Sequence, residues 1–272
     1  MGAALVWLLF VSVWVRVWPL SSNANGEFVQ SLERGLAVVR SFSRDRPQQT
    51  LTEVAGATGL TRATARRFLM TLESLGYATN DGKVWRLTAR VLDLGYSYLS
   101  SLGLPEVITP HLERLAATVH ESASAAVLDL TDIVYVARVE GRKIMRVQIT
   151  IGTRFPAYVT SLGRVLMASL DPGQARALLE ASDRPILTPL TTTGVNELVA
   201  ELERVRSAGY SLVDQELELG LRSIAVPLRN RSGQVVAAIN VSTTATGSPA
   251  DAVALVLPAL REAQSNIERE IA

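Results

Sequence analysis

The sequence predicts an α+β protein: a winged helix-turn-helix head, a connecting helix and a larger mixed body. Three observations carry this. Between Thr50 and Thr88, two capped helices flank a glycine turn and run into a short hairpin. From about residue 122 onward, strands are interspersed with helices and several antiparallel hairpins, the pattern of an α+β domain. The charge is also divided. Residues 27–90 hold ten Lys/Arg against six Asp/Glu and residues 91–272 hold sixteen against twenty, so a +4 head precedes a −4 body in a chain of net charge +1. A basic head on an acidic body fits a nucleic-acid partner at one end and another role at the other.

The 272 residues suggest about two domains. A 48% hydrophobic share is ample for a core and excludes a disordered chain. The chain holds no cysteine, which excludes disulfides, thiol catalysis and thiolate metal sites and suits a reducing, cytoplasmic setting. Residues 1–24 stand apart. Ala3 to Val15 are apolar except for Ser12, and three of the four tryptophans (Trp7, Trp14, Trp18) lie here. No basic region precedes them, as one would in a signal peptide. Arg16 and Pro19 cut the run short of the ~20 residues that span a bilayer. Ser22-Asn23-Ala24 has the look of a cleaved expression tag, so residues 1–24 are set apart as non-native; the alternative is a membrane-anchored protein.

The head is expected over residues 25–88. Leu32, Leu36, Val39 and Phe42 recur at helical spacing and predict a packing helix over Ser31–Phe42. Arg44 to Gln49, with Pro47, reads as a loop. Thr50 and Glu53 have the spacing of a capping box. Gly59 ends that helix as a left-handed cap, and Thr61 caps the next, which runs to Gly76. On this second helix Ala65, Phe68, Leu69, Leu72 and Leu75 form a core stripe. Ala63, Arg66, Arg67 and Met70 face the other way, with Arg62 and Thr64 at the edges. That face is small near its N-terminus and cationic, as a helix entering a major groove must be. Tyr77–Thr79 and Lys83–Leu87 pair as a hairpin around Asn80-Asp81-Gly82, which places Lys83 and Arg86 within reach of phosphates. The expected DNA contacts are therefore Thr61, Arg62, Ala63, Thr64, Arg66, Arg67, Lys83 and Arg86. Against this stands the plainer reading of a solvated amphipathic helix.

Residues 89–103 read as a linker helix, with Leu87, Val91, Leu94, Tyr98 and Leu102 on one stripe and Gly103 and Pro105 as its breakers. The body, residues 104–272, opens on a helix from Pro110 to Val119. Strands follow at Ala125–Leu130 and Ile133–Val139 around Thr131-Asp132, and a third at Lys143–Ile151. Helices are expected from Thr160 or Ser161 to Ala168, from Asp171-Pro172 to Glu180, and from Asn196 to Ala208 with Gly209 as its stop. Strands return at Ser211–Asp214, Ser223–Leu228 and Gln234–Thr243. Ser248-Pro249-Ala250-Asp251 caps a last helix with proline at its first position.

These residues together resemble the IclR (isocitrate lyase regulator) family of bacterial transcription factors, over Phe28 to the C-terminus. In the head the likeness rests on SLERGLAVV, LTEVAGATGLTRATARRFLMTLESLGY and WRLT. In the body it rests on IGTRFPAYVTSLGRVLMA and GYSLVDQELELGLRSIAVPLRNRSGQVVAAINVS. The last stretch looks most like regulators of the protocatechuate and para-hydroxybenzoate pathways. The resemblance implies a GAF-like effector-binding domain, operator DNA as partner, and a homodimer joined through the heads, often a dimer of dimers. The implied effector is a small organic acid: protocatechuate, para-hydroxybenzoate or β-ketoadipate. Family members that bind such acids use backbone amides at positions matching Ser161 and Leu162, and side chains matching Asp214 and Ser223.

The residues give a parallel argument. A helix starting at Thr160-Ser161-Leu162 offers free amides to an anion, and Asp214, Glu216 and Ser223 are expected to converge beside it. Arg154, Arg164 and Arg222 are candidate counter-ions, with structural ion pairs as their alternative. Tyr158, Met145 and Leu162 are candidate apolar walls. An enzyme is the competing class, but its parts are missing. His111 and His120 sit nine apart on one expected helix without a ligand set beside them. No GxSxG, P-loop or GxGxxG occurs. A winged-helix protein-interaction module is the third class, against which the arginine face argues. No catalytic residue, metal or cofactor is expected.

Overall fold

The computed structural model describes residues 28–43, 45–95, 103–141 and 149–271. Residues 1–24, Tyr96, Tyr98, Leu102, Met145 and most of the strand expected at Lys143–Ile151 lie outside them. The chain divides into two compact units, Met1–Gly95 and Tyr96–Ala272.

The first unit packs three helices, α1 (Gln30–Ser41), α2 (Leu51–Thr58) and α3 (Arg62–Ser74), on a small sheet. Local chemistry sets both turns. Thr50 Oγ1 accepts from the Glu53 amide at 3.3 Å while Glu53 accepts from the Thr50 amide at 2.7 Å, a reciprocal cap on α2. The Thr50 amide and hydroxyl, both donating to it, hold the Glu53 carboxyl below its ordinary value. Gly59 closes α2 at φ 66°, and Thr61 caps α3 by accepting from Thr64 at 3.2 Å. Val38, Val54, Ala55, Ala65 and Leu69 form the core with Ala78 and Trp85 of the wing.

Three expectations need correcting here. Arg44–Gln49 is not all loop: β1 (Gln48–Gln49) pairs with β3 (Trp85–Leu87), which pairs with β2 (Ala78–Asn80), giving a three-stranded sheet. Two residues of strand carry no periodicity, so only the pairing reveals them. Val38, not Leu32 or Leu36, is the buried anchor of α1, and Leu32 and Leu36 are exposed. Leu75 is exposed too, because α3 ends at Ser74 and Leu75 is its C-cap. Beyond the head, Ala89–Val91 form a 3-10 turn capped by Thr88, and residues 92–95 are helical.

The second unit is a six-stranded sheet with every neighbouring pair antiparallel, ordered β6-β5-β4-β9-β8-β7. Its strands are β4 (Ser122–Asp129), β5 (Asp132–Val139), β6 (Arg154–Pro156), β7 (Ser211–Asp214), β8 (Leu221–Arg229) and β9 (Val235–Thr244). One face carries α4 (Leu104–Val119) and the final helix α8 (Pro249–Glu270) over Ile224, Val226, Ile239 and Val241. The other carries α5 (Ser161–Ala168), α6 (Pro172–Ala181) and α7 (Val195–Ala208) over Ala126, Ile133, Ala225 and Ala238. Pleat alternation therefore decides which helix layer each strand residue meets. Leu198, Leu202 and Val205 of α7 are the buried positions. Gly103 and Pro105 stand at the start of α4, with Gly103 left-handed at the N-cap and proline in the first turn. Among the described residues, the strand antiparallel to β5 at the sheet edge is Arg154–Pro156.

Candidate functional site

The exposed face of α3 is built as follows. Ala65 and Leu69 are fully buried against the head core, which turns Arg62, Ala63, Arg66, Arg67 and Met70 outward. Thr61 is exposed and its hydroxyl lies 2.9 Å from that of the half-buried Thr64, so both are held at the helix start. Among the described residues, none of Arg62, Arg66 and Arg67 enters an ion pair. At the wing tip Asn80 accepts from the Gly82 amide at 2.8 Å, and Asp81 accepts from the Lys83 and Val84 amides at 3.0 Å each. Lys83 is exposed at this tip. Arg86, also expected at the DNA, bonds Asp81 at 3.1 Å and Gln48 at 3.0 Å through its guanidinium, tying β1 to the wing.

The second site lies where α5 begins over the sheet. Thr160 caps α5 by accepting from Gly163 at 3.0 Å, leaving the amides of Ser161 and Leu162 without intrahelical acceptors. The Ser161 hydroxyl is 2.6 Å from that of Ser223 on β8. Asn240 on β9 donates to Ser223 at 2.7 Å and to Ser242 at 3.2 Å. Asn240 Oδ1 is buried with no hydrogen-bond partner. These groups, with Tyr135, Val213 and Leu217, line a cavity of about 20 Å³, room for roughly one water.

The structure brings Ser161, Leu162 and Ser223 together and does not bring Asp214 or Glu216 to them. Val213 pairs with Ser223, while Asp214 pairs with Arg222. Adjacent pairs point to opposite faces, so Val213 lines the cavity and Asp214 lies under the other helix layer. There Arg222 forks onto Asp214 at 2.9 and 3.1 Å and onto the carbonyls preceding α8. Gln215 then takes φ 60°, which breaks the alternation. Glu216 thereby meets Arg164 of α5 at 2.7 Å and accepts from the Thr192 amide at 2.8 Å. Both acids are thus committed to ion pairs, and so are two candidate counter-ions. Arg154, the third, bonds Asp129 and Asp132 on the exposed sheet edge. Tyr158 is fully buried and donates to the Pro185 carbonyl, a core role. Asn240 and Ser242 escaped the sequence reading, yet Ala238, Asn240 and Ser242 alternate with apolar Ala237, Ile239 and Val241, a period-two signal that marks them.

A wider depression, about 180 Å³, lies at the far end of α5 beside Arg206 and Arg229. Arg206 there is spent on the carbonyls of Ala168 and Leu170, and a helix C-terminus repels anions, so the smaller cavity is the better ligand site. His111 bonds Glu270 and Arg114, and His120 lies beyond α4 as its left-handed C-cap, so the two histidines share no face. Among the described residues no three His, Cys, Asp or Glu cluster as metal ligands.

The profile of the IclR helix-turn-helix domain matches residues 31–82, and that of the bacterial transcriptional regulator IclR C-terminal family matches residues 96–269. The chain belongs to the IclR family. It is 44% identical over 218 residues to the Pca regulon regulatory protein of Pseudomonas putida, covering 80% of this chain and 75% of that one. It is 37% identical over 247 residues to the p-hydroxybenzoate hydroxylase transcriptional activator of Acinetobacter baylyi, covering 89% and 91%. A solved structure from Rhodococcus sp. RHA1 superposes with TM-score 0.81 at 54% identity, covering 90% and 98%. An IclR homologue from Microbacterium hydrocarbonoxydans, solved in complex with 4-hydroxybenzoate, superposes with TM-score 0.79 at 26% identity, covering 89% and 98%. The protein is thus an IclR-type transcriptional regulator, and its curated relatives are regulators rather than enzymes. No helix among the described residues is long and apolar enough to cross a membrane.

Proposed function

We propose that this IclR-type regulator binds double-stranded operator DNA through α3 and the wing tip, and senses an aromatic or keto acid of the protocatechuate pathway in the cavity at the start of α5. It acts in the cytoplasm as a homodimer or dimer of dimers. The observation that carries the effector reading is the polar floor of half-buried Ser223 and buried Asn240 and Ser242 under the α5 N-terminus, with an unpartnered acceptor on Asn240. The relatives' pathways and the 4-hydroxybenzoate complex support the ligand class. The site is Ser161, Leu162 and Ser223 with Asn240 and Ser242; Asp214 and Glu216 hold the structure around it. A cavity of about 20 Å³ is too small for a ring acid. Binding therefore selects a conformation with its wall moved apart, and that shift is the signal.

Calorimetry with 4-hydroxybenzoate, protocatechuate and β-ketoadipate, each with and without operator, tests this. Coupling of ~1–3 kcal/mol is expected, and operator must shift ligand affinity by the same factor. Equal affinity in both settings removes the regulatory claim; no binding of any of the three removes the effector class.

On the DNA side, Arg66→Ala is expected to weaken operator binding by about 1–3 kcal/mol, the worth of a bidentate arginine–guanine contact, while the melting temperature stays unchanged because Arg66 is exposed and enters no ion pair among the described residues. Wild-type affinity in a gel shift would take α3 out of the groove. Lys83→Ala is expected to lower the slope of log affinity against log salt by ~0.9 and leave sequence preference alone. An unchanged slope would place the wing tip away from the phosphates.

A further inference from the structure

We propose that Arg138 of β5 is the counter-ion for the effector's carboxylate, so that the acid lies across the sheet with its charged end at β5 and its other end at Ser223 and Ser161. This rests on the effector reading above and adds the ligand's orientation and length. Three observations carry it.

First, the cavity needs a cation and the other candidates are taken. Arg164 and Arg222 are each bound to a carboxylate inside the fold, and Arg154 to two at the sheet edge. An organic anion held only by amides and hydroxyls would lack a neutralising charge.

Second, Arg138 sits on the cavity face and is under-used. A β-bulge between Ala125 and Ala126 shifts the register of β4 against β5, so that Tyr135 pairs with Ala126 and Arg138 with Ser124. The bulge lets two residues three apart face the same side, which a regular strand forbids. Tyr135 lines the cavity. The half-buried Arg138 donates to the buried Ser124 hydroxyl at 3.1 Å, and its Nε is buried with no hydrogen-bond partner. Burial also pulls the guanidinium below its ordinary value, a penalty that a bound carboxylate relieves.

Third, the spacing fits. Ser124 on β4 stands in register with Asn240 on β9, and Ser242 on β9 with Ser223 on β8. Arg138 already covers β4 by reaching Ser124. From there to β8 is two inter-strand steps, roughly 10 Å. A para-hydroxy aromatic acid, with a hydrogen bond at each end, fills that span. Its hydroxyl then meets Asn240 Oδ1, like Arg138 Nε a buried polar atom without a partner. A compact two- or three-carbon keto acid cannot touch both poles.

The test is calorimetry on the full chain with 4-hydroxybenzoate and its uncharged isostere 4-hydroxybenzamide, using wild type, Arg138→Gln and Arg138→Lys. Wild type should prefer the acid at least tenfold. Arg138→Gln should lose at least tenfold for the acid and little for the amide, bringing the two together, and Arg138→Lys should recover part of the preference. The proposal is overturned if wild type binds amide and acid equally, if Arg138→Gln keeps its acid affinity, or if both ligands weaken alike in both variants, the mark of a structural arginine. Should Arg138→Gln unfold, the wild-type acid-to-amide ratio still decides. Wild type binding neither compound overturns the para-hydroxy acid placed here, and the effector reading falls with it only if protocatechuate and β-ketoadipate also fail to bind, whereas wild type binding the acid with Arg138→Gln unaffected overturns only the role of Arg138.

Discussion

Glu216→Ala is expected to cost the effector domain about 3–5 kcal/mol, because it strands a buried guanidinium. Arg164 is 3% exposed, and Glu216 is its only carboxylate among the described residues. The same carboxylate accepts the Thr192 amide, which loses its partner in the variant. Thr188 and Thr191 hydroxyls also bond the main-chain carbonyls of Gln215 and Glu216 at 2.8 and 2.7 Å, contacts that survive the substitution, so the loss is that of the carboxylate's two partners. For a domain of this size each kcal/mol moves the melting temperature by roughly 2–4 °C, so a fall of about 6–20 °C is expected. Asp214→Ala should follow at a smaller cost, since Asp214 is partly solvated and Arg222 keeps three backbone carbonyls. The alternative, that these acids touch the ligand, makes the opposite forecast: unchanged melting and lost effector affinity. Thermal unfolding beside calorimetry separates the two.

That alternative is what the sequence alone favours, and it parts from the structure where a side chain's direction is not set locally. Features set within a few residues were legible. The Thr50–Glu53 cap, the left-handed Gly59, the stripe of α7 and the proline start of α8 each follow from side chains speaking to nearby backbone. The direction of Asp214 is not local. It depends on whether Ser223 faces Val213 or its neighbour, a register choice that turns a side chain to the opposite face with a slip of one residue. Glu216 is further displaced by the positive φ of Gln215, which nothing in DQELELG announces. Arg138 was hidden by the bulge in the same way, since odd spacing from Tyr135 reads as the wrong face. The start of α5 and its approach to Ser223 were expected because a cap signal is local. Most of the fold was therefore readable, and of the candidate site, the half set by α5.

Gly163→Ala is the second large effect, and it joins fold to ligand. A Cβ on Gly163 would lie 2.2 Å from the Ala157 carbonyl oxygen and 2.4 Å from Ala157 Cα. These are backbone atoms of a fully buried 3-10 turn, so no side chain can swing aside. The helix must lift instead. Overpacking typically costs about 1–3 kcal/mol, and with backbone on both sides the upper end or more is expected. The lift acts at the third residue of α5, so it carries Ser161 away from Ser223, now 2.6 Å apart, and moves the amides that meet the effector. Effector affinity should therefore fall at least tenfold even in protein that remains folded at low temperature. Gly56→Ala is the matched control. That glycine lies mid-helix in α2 with no atom within 4 Å of an added Cβ, so helix propensity alone predicts a gain of up to ~1 kcal/mol. If Gly163→Ala melts and binds like wild type while Gly56→Ala behaves as expected, α5 is not packed backbone to backbone against Ala157, and the placement of the site at its N-terminus falls with it.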